Sequence, residues 1–189
     1  MDSLEIEVKF PVADPEEMRK TLIRRGARLI KGRVFEVNHR YDDPNQGLRK
    51  NSMILRLRKD TTATLTVKSK PSGETNNEFK IHTELEVEVS DFEKMERIIE
   101  ALGFERQQTY EKWRETYAMD ETEIVLDTLP YGEFIEIEGD KDKIRGVCGL
   151  LGLEWEKRVL SSYLELFERV KRTKGLTFTD ITFDNFKGI

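Results

Sequence analysis

The stretch EIEVKF near the start of the chain sets Glu5, Glu7 and Lys9 against Ile6, Val8 and Phe10, residue by residue. A period of two marks a strand with one apolar and one polar face. The alternation returns down the chain, with charges of one sign gathered at each place. Arg56 and Arg58 stand in LRLR, Lys68 in LTVK, and Lys112 and Arg114 in EKWRE. Glu84, Glu86 and Glu88 stand in TELEVEV, Asp127 in VLD, and Glu136 and Glu138 in EFIEIEG. Whatever the fold, each row must lie on one side of a sheet. Leu4, Ile6 and Val8, Leu55 and Leu57, Leu65 and Val67, Leu85 and Val87, and Ile135 and Ile137 then fall on the other.

For a single strand, a solvated face is the simplest account of such a pattern. Solvated strands, however, mix signs or use Thr, Ser and Gln, whereas like charges two apart are costly unless something compensates them. Guanidinium forks match phosphate oxygens two at a time, so Arg-x-Arg beside Lys-x-Arg suits a polyphosphate. Paired carboxylates suit a hard divalent cation, and Mg²⁺ commonly joins a few carboxylates to substrate phosphates. Together they are the recurrent equipment of phosphoryl chemistry. Spacing alone leaves open whether the charged faces converge.

The rest of the composition narrows the classes. Charged and apolar residues each make up 37% of the 189-residue chain, an unusual surplus of charge. With 32 basic and 37 acidic residues, no basic excess points to nucleic acid or to an anionic membrane. The one cysteine, Cys148, excludes an intramolecular disulfide and reads as a small core residue. No apolar run has membrane-spanning length and no signal-peptide core is present, so a cytoplasmic protein is expected, with a homodimer as its candidate assembly. There is no Walker A motif and no nucleophile elbow. His39 and His82 lack the spacing of a zinc site, and His82 reads as a solvated side chain. Tyr41 and Tyr117 read as packing residues.

A weak internal repeat organises the chain. SLEIEVKFPVADPEEMRKTLIRRGARLIKG and TELEVEVSDFEKMERIIEALGFERQQT each run strand, cap, helix, Gly, strand. Asp14, Pro15 and Gly26 bound the first helix; a capping box of Ser90 and Glu93, with Gly103, is expected to bound the second. RVFEVNHRYDD, SMILRLRKD and ATLTVKSK follow the first copy; EKWRETYAM, TEIVLDTL and EFIEIEG follow the second. KPSGETNNEF reads as a loop, and residues 140–152 and 154–172 as two helices separated at Gly152. The expected architecture is α+β: about eight antiparallel strands, as an open sheet or closed into a β-barrel, in one domain over 1–172 with a tail at 173–189.

The run E-x-E-x-K (Glu5, Glu7, Lys9), LRLRK…LTVK, ELEVEVSD…LGF, EKWRETY, VLDTLPYGEFIEIEG and SYLELF, in that order, resembles the CYTH superfamily, the triphosphate tunnel metalloenzymes. The resemblance covers residues 4 to 167. It implies an eight-stranded antiparallel tunnel, polar inside, with helices against the outside. By the same resemblance Lys9, Arg56, Arg58, Lys68, Lys112 and Arg114 would hold a triphosphate, and Glu5, Glu7, Glu136 and Glu138 would hold Mg²⁺ or Mn²⁺. Asp127 would add a metal or water ligand, and with Lys9, Arg56 and Arg58 would serve catalysis. Glu84 and Glu86 match the family's central acidic strand and are expected at the substrate. The family often has Arg just ahead of that strand, where this chain has Lys80 and His82.

The resemblance implies an enzyme that cleaves a phosphoanhydride bond. The DTLPYGEFIEIEG and SYLELF stretches look most like the class IV adenylate cyclases, which turn ATP into cyclic AMP and pyrophosphate. An inorganic or thiamine triphosphatase and a non-catalytic polyphosphate or nucleotide binder are the alternatives. Removing one like-charged tunnel residue is expected to relieve repulsion.

Overall fold

The fold was analysed in a computed structural model that describes residues 3–71 and 78–189, with side chains from Leu4. Most of the expected loop at 70–79 lies outside the described residues. Eight strands close on themselves in the order β1-β5-β4-β3-β2-β6-β7-β8, every pair antiparallel. They are β1 (Ser3–Val12), β2 (Arg28–Asp42), β3 (Met53–Lys59), β4 (Ala63–Ser69), β5 (Lys80–Val89), β6 (Glu105–Met119), β7 (Thr122–Leu129) and β8 (Gly132–Glu138). The helices are α1 (Pro15–Arg24), α2 (Gly47–Lys50), α3 (Phe92–Ala101), α4 (Lys141–Leu151) and α5 (Tyr163–Lys174).

Local chemistry sets the helix ends. Asp14 caps α1 by accepting from the Glu17 amide at 3.0 Å, with Pro15 in the first turn. Gly26 and Gly103, at φ +91° and +89°, turn the chain back after α1 and α3. The cap of α3 is Asp91, which accepts from the Lys94 amide at 2.9 Å, and not the expected Ser90. The β5 ladder runs to Val89, so the helix starts one residue later than the capping-box pattern suggests. Glu93 is thereby released to pair with Lys59 at 2.7 Å.

The expected helix over 154–172 is interrupted. Trp155–Lys157 make a single 3-10 turn, and the following segment runs extended, the Val159 amide donating to the Lys9 carbonyl at 2.7 Å. Only then does α5 begin, on a capping box between Ser162 and Glu165. After α5 the chain returns to the barrel end. Ile181 exchanges backbone hydrogen bonds with Thr109 and Glu111 of β6 and is fully buried with Tyr110 and Phe167.

The hydrophobic core lies outside the ring of strands. On one side α1 and α4 cover β1, β7 and β8, burying Leu22, Ile144 and Val147 against Val8, Phe10, Ile124, Ile135 and Ile137. Cys148 is buried there, and Tyr117 packs in the same layer. On the other side α3 covers β2, β3 and β4, with Phe92 and Ile99 on Tyr41, Leu57 and Ala63. Each fully buried aliphatic or aromatic side chain of this kind contributes about 1.5–3 kcal/mol. With the apolar face of every strand spent outward, the interior is left to the polar face. Leu85 and Val87, outward on β5, remain more than half exposed.

Candidate functional site: a charged tunnel

Cross-strand register brings the single-sign rows together around the interior. Glu7 and Lys9 of β1 face Glu138 and Glu136 of β8, and Glu5 and Glu7 face His82 and Lys80 of β5. Lys68 lies opposite Glu84, Thr66 opposite Glu86 and Arg56, and Arg58 opposite Thr64. Arg114 faces Asp127, and Lys112 faces Glu36. Every residue assigned to the site from sequence therefore lies on the inner face, in one continuous lining.

Within that lining the two signs are paired. Lys9 Nζ lies 2.7 Å from Glu136, Lys68 Nζ 2.8 Å from Glu84 and 2.5 Å from Glu5, and Lys80 Nζ 2.5 Å from Glu7. Asp127 is fully buried and accepts from Arg114 Nε at 2.7 Å, from Arg114 Nη2, from Lys112 Nζ at 3.0 Å and from the Tyr163 hydroxyl at 2.8 Å. Arg114 also reaches Glu136 at 2.8 Å. The expectation that these charges repel one another therefore fails over most of the lining, because most inward carboxylates reach a cation on another strand. Removing one member would strand its partner, a loss of about 3–5 kcal/mol where both are buried.

The contacts set the protonation states. Burial raises Glu5 despite Lys68, whereas at Glu7 burial is outweighed by Lys80 and the carboxyl is lowered. Burial is likewise outweighed at Glu136, where Lys9 and Arg114 hold the carboxylate well below its ordinary range. Glu36 is held down at about 2, Lys112 and Arg114 overcoming its burial. His82 is pushed down to about 4 by burial and by Lys80 and Lys68, and so is neutral at physiological pH. Its ring faces the tunnel and not solvent, since Ile81 and Thr83 occupy the alternate face.

One region carries a surplus of acid. Glu5, Glu7, Glu123, Glu136 and Glu138, with Arg114 and Val125, line a small cavity in the lumen. Burial, Glu5 and Glu123 push the Glu138 carboxyl up to about 8. A patch of hard oxygen donors with an acid kept protonated by its neighbours fits a divalent cation, which would replace the missing positive charge. Among the described residues no three acidic or histidine side chains form a ready-made metal cluster. Glu5, Glu7 and Glu136 are turned instead to Lys68, Lys80 and Lys9.

The Glu138 shift has a measurable sign. Between about pH 4.5 and 8 the folded chain holds a proton that the unfolded chain releases, so stability falls as pH rises through that window, by on the order of a few kcal/mol. Urea melts at pH 5.5 and 8.5 in a chelator should show wild type losing stability at the higher pH and Glu138→Gln losing much less. Equal losses would remove Glu138 as the cause.

Sequence reasoning missed several inward residues. Glu36, fully buried Asn38 and Arg40 line the lumen from β2, and neither amide atom of Asn38 has a hydrogen-bond partner among the described residues. The alternation of FEVNHRYDD carried that signal, but its outward positions include His39, which bonds Glu96 of α3 at 3.0 Å. Lys80 and Tyr163 complete the lining.

A closed antiparallel ring with basic and acidic rows facing inward defines a tunnel-type protein with a polar lumen. The family model for the CYTH domain matches residues 3–150, and the chain belongs to the CYTH family. A relative from Methanocaldococcus jannaschii named "putative adenylate cyclase" is 27% identical over 175 residues, covering 86% of this chain and 98% of its own. A Vibrio parahaemolyticus structure of the same description has a TM-score of 0.78 at 19% identity, over 89% of this chain and 99% of its own. A Hippeastrum structure described as revealing a dominant triphosphatase activity has a TM-score of 0.64 at 17% identity, over 88% and 96%. At such identities the two structures share the fold. No helix among the described residues is long and apolar enough to cross a membrane.

Proposed function

We propose that the chain is a divalent-metal-dependent enzyme that threads a triphosphate into the tunnel and cleaves a phosphoanhydride bond. The observation that carries this reading is the pairing of six inward cations with inward carboxylates. Lys9, Lys68, Arg56, Arg58, Lys112 and Arg114 form an anion-binding lining whose counter-charges, in the absence of substrate, are the chain's own Glu and Asp side chains. A triphosphate takes the place of the glutamates on the cations, while Asp127 keeps its hold on Lys112 and Arg114, and the glutamates so released suit Mg²⁺ or Mn²⁺. Glu5, Glu7, Glu136 and Glu138, with Asp127, are the residues that would hold it. Such an ion supplies charge neutralisation and lowers the pKa of a bound nucleophile. The arginines and lysines orient the phosphates in line and take up charge as the bond to the leaving group lengthens.

The preferred substrate on this reading is ATP, cyclised to cyclic AMP with release of pyrophosphate, in keeping with the class IV-like motifs and the name of the archaeal relative. The second reading is a triphosphatase, with water as nucleophile. It is favoured by a lumen whose charged lining addresses the phosphates and not the group attached to them. A panel of ATP, thiamine triphosphate and tripolyphosphate with Mg²⁺ or Mn²⁺ tests both. Cyclic AMP with pyrophosphate is the expected outcome, orthophosphate release would establish the hydrolase, and tight binding without turnover would leave only a binder.

A further inference from the structure

The contacts of Tyr163 are unlike those of the other aromatic residues that pack α5 onto the barrel. Its ring lies beneath Lys9 Nζ at 3.8 Å and has Lys112 Nζ at 5.4 Å, while its hydroxyl donates to Asp127 at 2.8 Å. The phenol therefore seats the Lys9 ammonium, lies within cation–π range of Lys112, and bonds the carboxylate that anchors Lys112 and Arg114. Burial, Asp127 and Glu136 raise its pKa well above the ordinary phenol value, which keeps the hydroxyl a donor. Sequence-local features hold it there. The capping box at Ser162 starts α5 on Tyr163, the Tyr131 hydroxyl donates to the Tyr163 carbonyl at 2.7 Å, and Phe134 meets the ring edge-on at 5.3 Å. The extended segment before it fixes the Lys9 backbone through the Val159 amide, so residues 159–163 hold Lys9 at both main chain and ammonium.

We infer that Tyr163 is a positioning residue of the phosphate clamp, its ring seating the Lys9 ammonium while its hydroxyl fixes Asp127, so that Lys112 and Arg114 meet the anion in set places. The inference rests on the triphosphate reading of the tunnel. Asp127 Oδ2 receives Lys112, Arg114 and Tyr163 together. Without the hydroxyl, that oxygen draws the Lys112 ammonium closer to itself and away from the lumen. Lys9 keeps its aromatic seat as long as a ring is present.

Two variants separate the ring from the hydroxyl. Tyr163→Phe keeps the Lys9 stack and the packing on Phe134. It is expected to lower kcat on the preferred triphosphate about tenfold to a hundredfold, with little change in KM, as misplacement of a charged group does. Tyr163→Leu also loses the seat of Lys9 and is expected to weaken calorimetric binding of tripolyphosphate, measured with chelator present, about tenfold. Thermal melts give the folded fraction, against which both effects are normalised. A residue that only packs would lower the melting temperature and leave kcat, KM and affinity per folded molecule as in wild type, and that result overturns the inference while the triphosphate reading stands. Wild type failing to bind tripolyphosphate at all would overturn both.

Discussion

Glu136→Ala should abolish turnover, a loss of about a thousandfold or more if it removes both a metal ligand and the group that orients two clamp cations. Glu136 lies between Lys9 at 2.7 Å and Arg114 at 2.8 Å, and it lines the acidic cavity. The variant also strands Lys9, which is 2% exposed and has Glu136 as its ion-pair partner, so the fold is expected to lose about 3–5 kcal/mol. Glu136→Gln retains an oxygen toward Lys9 and should recover much of that stability with no recovery of turnover. Steady-state rates and urea midpoints for the pair separate the two roles. Full activity in folded Glu136→Ala would mean that Glu136 holds no metal.

The second large effect is expected at Arg56, for the opposite structural reason. Its guanidinium donates to Thr66 at 3.2 Å and stands 3.6 and 3.8 Å from Glu86 and Glu84, with Nε unpartnered. Burial works against its charge, but Tyr110, which it hydrogen-bonds, and the surrounding glutamates raise its pKa further, so the fork stays charged. Glu84 keeps Lys68, and Glu86 keeps Thr66 and Arg58, when Arg56 is removed. Arg56→Ala should therefore cost less stability than Glu136→Ala, about 1–3 kcal/mol for the hydrogen bonds to Thr66 and Tyr110 that are lost. It should also cut kcat/KM about a hundredfold to a thousandfold through loss of a two-point phosphate contact. Arg56→Lys restores charge without the fork and should recover little. Recovery by lysine would show that charge alone is needed there.

The inward rows were legible because outward positions beside them in β1, β3, β4, β5 and β8 are mostly apolar, which fixes the phase of the alternation. In β2 that phase is obscured. Irregularities between Leu29 and Lys31, Lys31 and Val34, and Arg40 and Tyr41 interrupt the period, and His39 on the outer face is satisfied by a helix distant in sequence. Glu36 and Asn38 were missed for that reason. His82 was misread because its apolar neighbours cannot show that the opposite face of β5 closes on β1. Tyr163 escaped for another cause: a residue at the start of a helix carries no strand phase, and only the break at 158–161 directs it into the lumen. The helix caps were legible to within one residue, the shift at α3 arising where strand and helix compete for Ser90.

The closed ring also fixes how this chain must assemble. β1 is the seam: it joins β5 on one side and β8, the last of the eight described strands, on the other. Its pairing with β8 couples residues 7–12 to 133–138, and loop closure over that span is slow to form. With the lumen charged, no oily interior draws the strands shut. Helices α1 and α4 pull on the seam from outside, while Lys9–Glu136 and Lys80–Glu7 draw it together from within. The carboxylates that would later hold a metal thus serve first to latch the ring, and refolding should slow with added salt more than the chain's helix formation does.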